Sequence, residues 1–140
     1  MEFDLDRFVK AQEENYAKAL EEIKDGYKRT HWIWYIFPQI KELSVSATSK
    51  YYGLDGIEEA TEYYNNEYLK NHLLEISKAL LEIKNSDIED IMGYPDYFKV
   101  RSSMTLFGNV DPEEPVFHDV IDKYYDGIED EITLKYIKKN

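Results

Sequence analysis

The sequence contains no cysteine in its 140 residues. Disulfide bonds, a thiol nucleophile and thiolate metal sites are therefore excluded. Basic residues are also few, because 17 Lys and Arg stand against 29 Asp and Glu, for a net charge of −12. Nucleic acids and anionic membranes are both bound through a basic face, so we expect neither as a partner.

Long uncharged apolar segments are missing as well. None approaches the roughly 18 residues that a membrane-spanning helix requires, and the N-terminus shows no signal-peptide pattern. We therefore expect a soluble, cytoplasmic protein, and its oligomeric state is left open. The chain also lacks a phosphate-binding glycine loop and a dinucleotide fingerprint, so no organic cofactor is expected.

What the chain does contain favours one helical domain over residues 1–140. Hydrophobic residues make up 43% and aromatic residues 15% of the sequence, which is enough for a proper core. Apolar residues recur at helical spacing after Asp4, a candidate cap, and stop at Gly26. Similar patterns predict a short helix from Thr30 to Pro38, and then helices at 47–52, 56–64, 67–84, 87–92, 95–107, 116–127 and 132–138. No strand alternation is present, and we predict a compact all-α domain of six to eight helices, several of them short.

The segment from His31 to Gln39 contains both tryptophans of the chain and should be mostly buried. If it is helical, then His31, Trp34 and Tyr35 share a face that could stack a flat ring. His31 would be the general acid or base, or else a histidine near the helix cap that binds a backbone carbonyl. The amide of Gln39 could read a base edge or a carbonyl, or could satisfy loop backbone groups instead.

A second candidate cluster lies near residue 100. Lys99 and Ser103 are four residues apart, which places them on one helical face. Together with Arg101 and Ser102 they could bind an anion, and a lysine beside a serine could also activate a nucleophile. The alternative is that the serines are small residues that allow close helix packing. Lys28, which precedes the aromatic segment, would add to a positive pocket if the two segments meet.

A third set, Glu114, His118 and Asp122, recurs every four residues. Such spacing can bind a divalent cation, but residues 109–131 carry nine acidic side chains in all, Glu114 and Asp122 included. A solvated acidic face is the better interpretation, and we expect no native metal. Gln12, on the apolar stripe of the first helix, is interpreted as a hydrogen-bonded core residue, and His72 as a surface histidine.

Four segments of the chain carry specific motifs. They are residues 8–12, the His-Trp-x-Trp-x-x-Phe-Pro-Gln segment that ends at Gln39, the Ser-Ser-Met-Thr-Leu-Phe segment that begins at Ser102, and residues 122–127. In this order they resemble one uncharacterised and mostly bacterial family, which is catalogued as domain of unknown function 1810. The resemblance covers nearly the whole chain. It implies a compact, mainly helical single domain and no established activity.

Two classes of function fit these observations. The first is a domain that binds a small planar anionic ligand, such as a nucleotide or nucleotide-sugar, through His31, Trp34, Tyr35, Gln39, Lys28, Lys99, Arg101 and Ser103. Whether it is also an enzyme stays open; if so, a hydrolase or transferase with His31 as acid or base is favoured. The alternative is a protein-interaction module without catalysis that exposes the aromatic segment as a contact patch. A third interpretation gives the shared motifs a role in folding only, and a fully buried His31 with both nitrogens bonded to backbone would support it.

Overall fold

The computed structural model describes residues 3–138. Within this range the chain forms nine helices, of which six have at least seven residues, and no β-strand beyond one isolated bridge. The predicted all-α class is therefore confirmed. The helices are α1 (Asp6–Lys24), α2 (Ile33–Ile36), α3 (Ala47–Tyr51), α4 (Gly56–Asn65), α5 (Glu67–Leu81), α6 (Ile88–Met92), α7 (Asp96–Val110), α8 (Pro115–Tyr124) and α9 (Glu131–Ile137).

The ends of the helices follow local chemistry. The Asn66 side chain accepts the backbone N–H of Leu69 and so caps α5, and Ser46 forms a capping box at the start of α3. Gly26 ends α1 with φ +82°, a left-handed conformation that glycine adopts without strain. The expected cap of α1 is wrong, because Leu5 occupies that position and no side chain caps the helix.

Helix α7 is the central element of the packing. It contacts α4, α6, α8 and α9, while α5 packs against α1, α4 and α8. The middle of α7 is buried, from Ser102 to Gly108, so this helix is covered on most of its circumference there. Its first turn, after Pro95, stays partly open, and this leaves the N-terminal part of α7 available to line a surface site.

Helix α2 is much shorter than the sequence predicts. It begins at Ile33, after Trp32, whose backbone φ of −141° lies outside the helical range. The expected cap, Thr30, lies two residues before the observed N-cap, Trp32, and its hydroxyl donates to the carboxylate of Glu22 at 2.7 Å. The helix ends before Pro38, as predicted, and the aromatic segment is buried except for the exposed His31 and the half-buried Trp34.

The chain after α2 is fixed by an isolated parallel bridge between Ile40 and Leu54. The N–H of Leu54 donates to the carbonyl of Gln39, and the N–H of Lys41 donates to the carbonyl of Leu54, both at 2.9 Å. This bridge holds the short 3-10 turn Lys41–Leu43 against the body of the protein. Within residues 3–138, no helix combines the length and the apolar character that crossing a bilayer would require.

Candidate functional site

A groove of about 350 Å³ opens beside the exposed first turns of α7. One wall comes from α7, a second from the loop between α2 and α3, and a third from the start of α9. Apolar side chains dominate it, and its polar members are one amide, one hydroxyl, one ammonium and one carboxylate. The lining residues are Gln39, Leu43, Val45, Pro95, Phe98, Lys99, Ser102, Asp130 and Ile132.

The two motif segments therefore meet in space. Gln39 ends the aromatic segment, and Lys99 and Ser102 belong to α7, yet all three line the same groove. The backbone of Gln39 is fixed by the bridge to Leu54. None of the hydrogen bonds within residues 3–138 uses its side-chain amide, so this amide does not satisfy loop backbone groups, although the residue is only 9% exposed.

Lys99 is oriented by two neighbours. Its ammonium lies 3.7 Å from Oδ1 of Asp96 and 5.7 Å from the centre of the Trp34 ring. The second distance is within the range of a cation–π interaction. Trp34 itself does not line the groove, but it supports the lysine that does.

Lys28 lies on the other oxygen of the same carboxylate. Its ammonium is 2.8 Å from Oδ2 of Asp96 and 5.1 Å from the centre of the Trp32 ring. The Lys28 side chain is 6% exposed, compared with 21% for Lys99. Lys28 is thus a buried partner of Asp96 and lies outside the groove lining, whereas Lys99 has the looser ion pair and the more open position.

Ser102 and Ser103 have different environments. Ser102 lines the groove, and its hydroxyl donates to the carbonyl of Phe98 at 3.2 Å. Ser103 is completely buried, and its hydroxyl has no hydrogen-bond partner. The predicted Lys99–Ser103 pair is replaced at the groove by Lys99 and Ser102, three residues apart, because Ser103 is turned into the core.

The remaining predicted site residues lie elsewhere. His31 is exposed, precedes α2 and does not line the groove. Its ring has no hydrogen bond within the described range, which contradicts a histidine fixed by backbone. Tyr35 is buried, and its hydroxyl is 3.5 Å from the carbonyl of His31. Since α2 begins at Ile33, the predicted helical face of His31, Trp34 and Tyr35 does not form.

Arg101 is also outside the groove. Its guanidinium donates through one terminal nitrogen to the carbonyl of Glu129 at 3.1 Å, while its Nε is buried without a partner. The side chain thus ties α7 to the segment that leads into α9.

Several residues of the site have no strong signal in the sequence. Asp130 belongs to an acidic segment that resembles a solvated face, and Val45 and Ile132 look like ordinary apolar residues. Asp130 is positioned from two sides. Its N–H donates to the hydroxyl of Thr105 at 2.9 Å, and its Oδ2 accepts both the N–H and the hydroxyl of Thr133, at 2.9 and 2.6 Å.

Glu22 is a second residue without a sequence signal. It is almost fully buried in α1, and its carboxylate accepts the N–H groups of Arg29 and Thr30, the Thr30 hydroxyl and the indole N–H of Trp32. Burial alone would raise the pKa of this carboxyl, but these hydrogen bonds, led by the Thr30 hydroxyl, lower it to about 2. Its position on the apolar stripe, one residue before Ile23, is the feature that could have indicated burial.

Gln12 and His72 form a polar cluster away from the groove. The Gln12 amide donates to the Tyr35 carbonyl and the Tyr63 hydroxyl, and its Oε1 lies 2.8 Å from Nδ1 of His72. The core interpretation of Gln12 is confirmed. The surface interpretation of His72 is wrong, because its ring stacks on Tyr16 at 3.6 Å between centroids, and burial lowers its pKa.

The Glu114, His118 and Asp122 set has structural contacts. Glu114 caps α8 by accepting the N–H of Val116, and the His118 ring lies against Gly108 of α7. Between residues 3 and 138, no group of three or more His, Cys, Asp or Glu side chains is arranged to hold a metal ion.

The fold and the groove define a small all-α domain with one apolar, weakly charged surface site next to its most aromatic segment. Residues 2–137 match the family model described as Protein of unknown function (DUF1810), so the chain belongs to that family. This agrees with the resemblance in the sequence. The structure is also similar to the crystal structure of a conserved hypothetical protein from Mycobacterium tuberculosis, with a TM-score of 0.94 and 38% identity over 97% of both chains. No curated protein matches the chain.

Proposed function

We propose that this protein binds a small planar anionic molecule in the groove beside α7. The observation that carries the proposal is that Gln39, Lys99 and Phe98 line one groove. A volume of about 350 Å³ lies at the lower end of the range for ligand pockets, which favours a ligand of one or two rings.

The chemistry of the walls supports a planar ligand. Phe98 is 47% exposed and stacks on Tyr97 at 4.2 Å, so its outer face is available on a fixed ring. Opposite surfaces come from Leu43, Val45 and Ile132, which offer apolar contact without hydrogen bonds. An aromatic ring between these walls would exclude water from both of its faces.

Catalysis is not part of the proposal. The residue favoured as acid or base, His31, does not line the groove, and Ser103 has no access to it. Of the ligand contacts expected from the sequence, the proposal keeps Gln39 and Lys99. It adds Phe98, Ser102 and Asp130. Trp34 and Lys28 act indirectly, through Lys99 and Asp96.

The test is a titration of the ¹⁵N-labelled protein followed by NMR. Benzoate, adenine and AMP serve as probes of increasing size and charge. We expect the amides of residues 39, 99 and 102 to shift in a saturable manner with at least one probe. Absence of a shift at these amides with all three probes at millimolar concentration would overturn the proposal.

Two matched pairs of variants locate the binding. Phe98→Ala removes the exposed wall, and Tyr68→Ala removes an exposed aromatic ring from α5, away from the groove. Lys99→Met removes the cation, and Lys78→Met is its control on α5. We expect binding to be lost in the two groove variants and retained in the two controls, while all four keep the wild-type fold.

A second candidate function, docking of another protein, is favoured by one specific observation. Val45 and Tyr94 are 89% and 74% exposed, and with Phe98 and Ile132 they surround the groove with apolar surface. This apolar surface is not the contact patch that the sequence analysis considered. That patch was the aromatic segment from His31 to Gln39, which is largely buried, with Trp32 only 1% exposed. Sedimentation of the pure protein tests whether the chain associates with itself through this surface. A monomer that binds the probes supports the ligand site.

A further inference from the structure

The groove carries one available cation and one available anion, and this pairing narrows the class of ligand. We propose that it selects a planar ring with a single carboxylate and a separate hydrogen-bond donor, in preference to phosphorylated ligands. The inference rests on the proposed function and specifies the substrate class of the same site.

The cation is Lys99, and its charge is the one that a ligand can use. Asp96 is shared between two lysines, but Lys28 is the closer partner, at 2.8 Å compared with 3.7 Å. The two lysines share one carboxylate, so the three groups together carry a net charge of +1. Trp34 supports the Lys99 ammonium from one side, so a ligand carboxylate can approach it from the groove.

The anion is Asp130, which lines the groove and uses only one of its two carboxylate oxygens as an acceptor within residues 3–138. Both of its hydrogen bonds from Thr133 are accepted by Oδ2, and no hydrogen bond within residues 3–138 uses Oδ1. The side chain is held in place by those bonds, and its N–H is anchored on Thr105. An amino or hydroxyl group on a bound ring would find this oxygen already oriented, and a hydrogen bond to a charged acceptor is among the stronger ones.

The same two charges oppose a polyanion. A phosphate or diphosphate brings about two or more negative charges at neutral pH, and one lysine neutralises only one of them. The Asp130 carboxylate and the chain's net charge of −12 would repel the remainder. The ligand class is thus an aromatic amino or hydroxy monocarboxylate rather than a nucleotide.

The experiment compares matched ligands by NMR titration of the wild-type protein. The three aminobenzoate isomers carry both groups, benzoate lacks the donor, aniline lacks the carboxylate, and ADP carries the extra negative charge. We expect one aminobenzoate isomer to bind about tenfold more tightly than both benzoate and aniline, the size of one charge-assisted hydrogen bond, and ADP to bind most weakly.

Two variants assign the selectivity to its residues. Lys99→Met should reduce the best aminobenzoate to the affinity of aniline. Asp130→Asn should remove its advantage over benzoate, while the fold is kept because asparagine caps helices as well as aspartate does. Thermal unfolding of both variants verifies that they are folded.

The outcomes separate the two proposals. Binding of the probes without any preference for the aminobenzoates, or tightest binding by ADP, would overturn the selectivity and leave the ligand site in place. No binding by any compound at the groove amides would overturn both.

Discussion

The carboxylate of Glu22 accepts the indole N–H of Trp32 at 2.9 Å in the interior of the protein. The same carboxylate holds Thr30 and the N–H of Arg29, so one side chain of α1 fixes the whole entry to the aromatic segment. This places Trp32 and, through the adjacent turn, Lys28 at Asp96. Glu22 therefore supports the groove without touching it.

Replacing Glu22 with glutamine should make the protein less stable and less sensitive to acid. In the folded wild type the pKa of the Glu22 carboxyl falls from an ordinary 4.5 to about 2. The stabilisation that the ionised carboxylate provides is therefore fully present above pH 4.5 and is lost as the pH decreases toward 2. The difference corresponds to about 3 kcal/mol of unfolding free energy. Urea unfolding between pH 7 and pH 2 measures it.

Glu21→Gln is the matched control because Glu21 is the exposed neighbour on the same helix. It should unfold as the wild type does at every pH. If Glu22→Gln showed the same dependence on pH below 4.5 as the wild type, the hydrogen bonds to its carboxylate would not explain the acid sensitivity.

Gln12→Leu should destabilise the protein although it increases the apolar character of α1. The substitution leaves the Tyr35 carbonyl, the Tyr63 hydroxyl and His72 Nδ1 without their partner. Unsatisfied buried polar groups are costly, and we expect a loss of about 3 kcal/mol, measured by urea denaturation. Lys10→Leu, at an exposed position of α1, should change the stability by less than about 0.5 kcal/mol; an equal effect of both would show that the polar cluster is not important.

The sequence predicted the helices well where apolar spacing and caps agree, as in α5 with Asn66. It failed at α2, where the helix begins at Ile33 and the expected cap, Thr30, instead donates to the carboxylate of Glu22, a contact that no local pattern contains. Helix α7 continues three residues beyond the predicted end at Phe107, since Gly108 is buried against α8 rather than acting as a stop.

The site was predictable only in part, for a similar reason. Gln39 and Lys99 were predicted as ligand contacts by their chemical types, and the fold brings them to one groove. Asp130 and Phe98 were not predicted, because their places in that groove depend on the path of the chain after α8 and on one turn of α7 left uncovered. Ser103 was preferred to Ser102 because helical spacing alone does not tell which of two adjacent serines faces the core.

Ser103→Ala should leave the stability unchanged or raise it by about 1 kcal/mol. Its buried hydroxyl has no partner, so the native state already bears the cost of removing it from water. Thr105→Val on the same helix should have the opposite effect on stability, because the Thr105 hydroxyl accepts the N–H of Asp130. We expect it to cost about 1–3 kcal/mol in thermal or urea unfolding. A larger loss for Ser103→Ala than for Thr105→Val would contradict this account of the two hydroxyls.

Gly53→Ala should damage both the fold and the groove. A Cβ at this position would lie 2.7 Å from Cα of Lys41, and backbone atoms cannot move aside as a flexible side chain can. Lys41 belongs to the bridge that fixes Gln39, so the strain is transmitted to the groove lining. We expect a loss of about 2 kcal/mol or more in urea unfolding, together with weaker binding of the NMR probes.

Gly108→Ala provides the comparison for that prediction. Its added Cβ would meet the His118 ring at 3.3 Å, a side chain that can shift, and alanine is favoured over glycine inside a helix by about 1 kcal/mol. The two terms oppose each other, and we expect a net change close to zero with binding retained. If Gly53→Ala behaved in the same way, the close approach of the 3-10 turn would be dispensable and the position of Gln39 would have another cause.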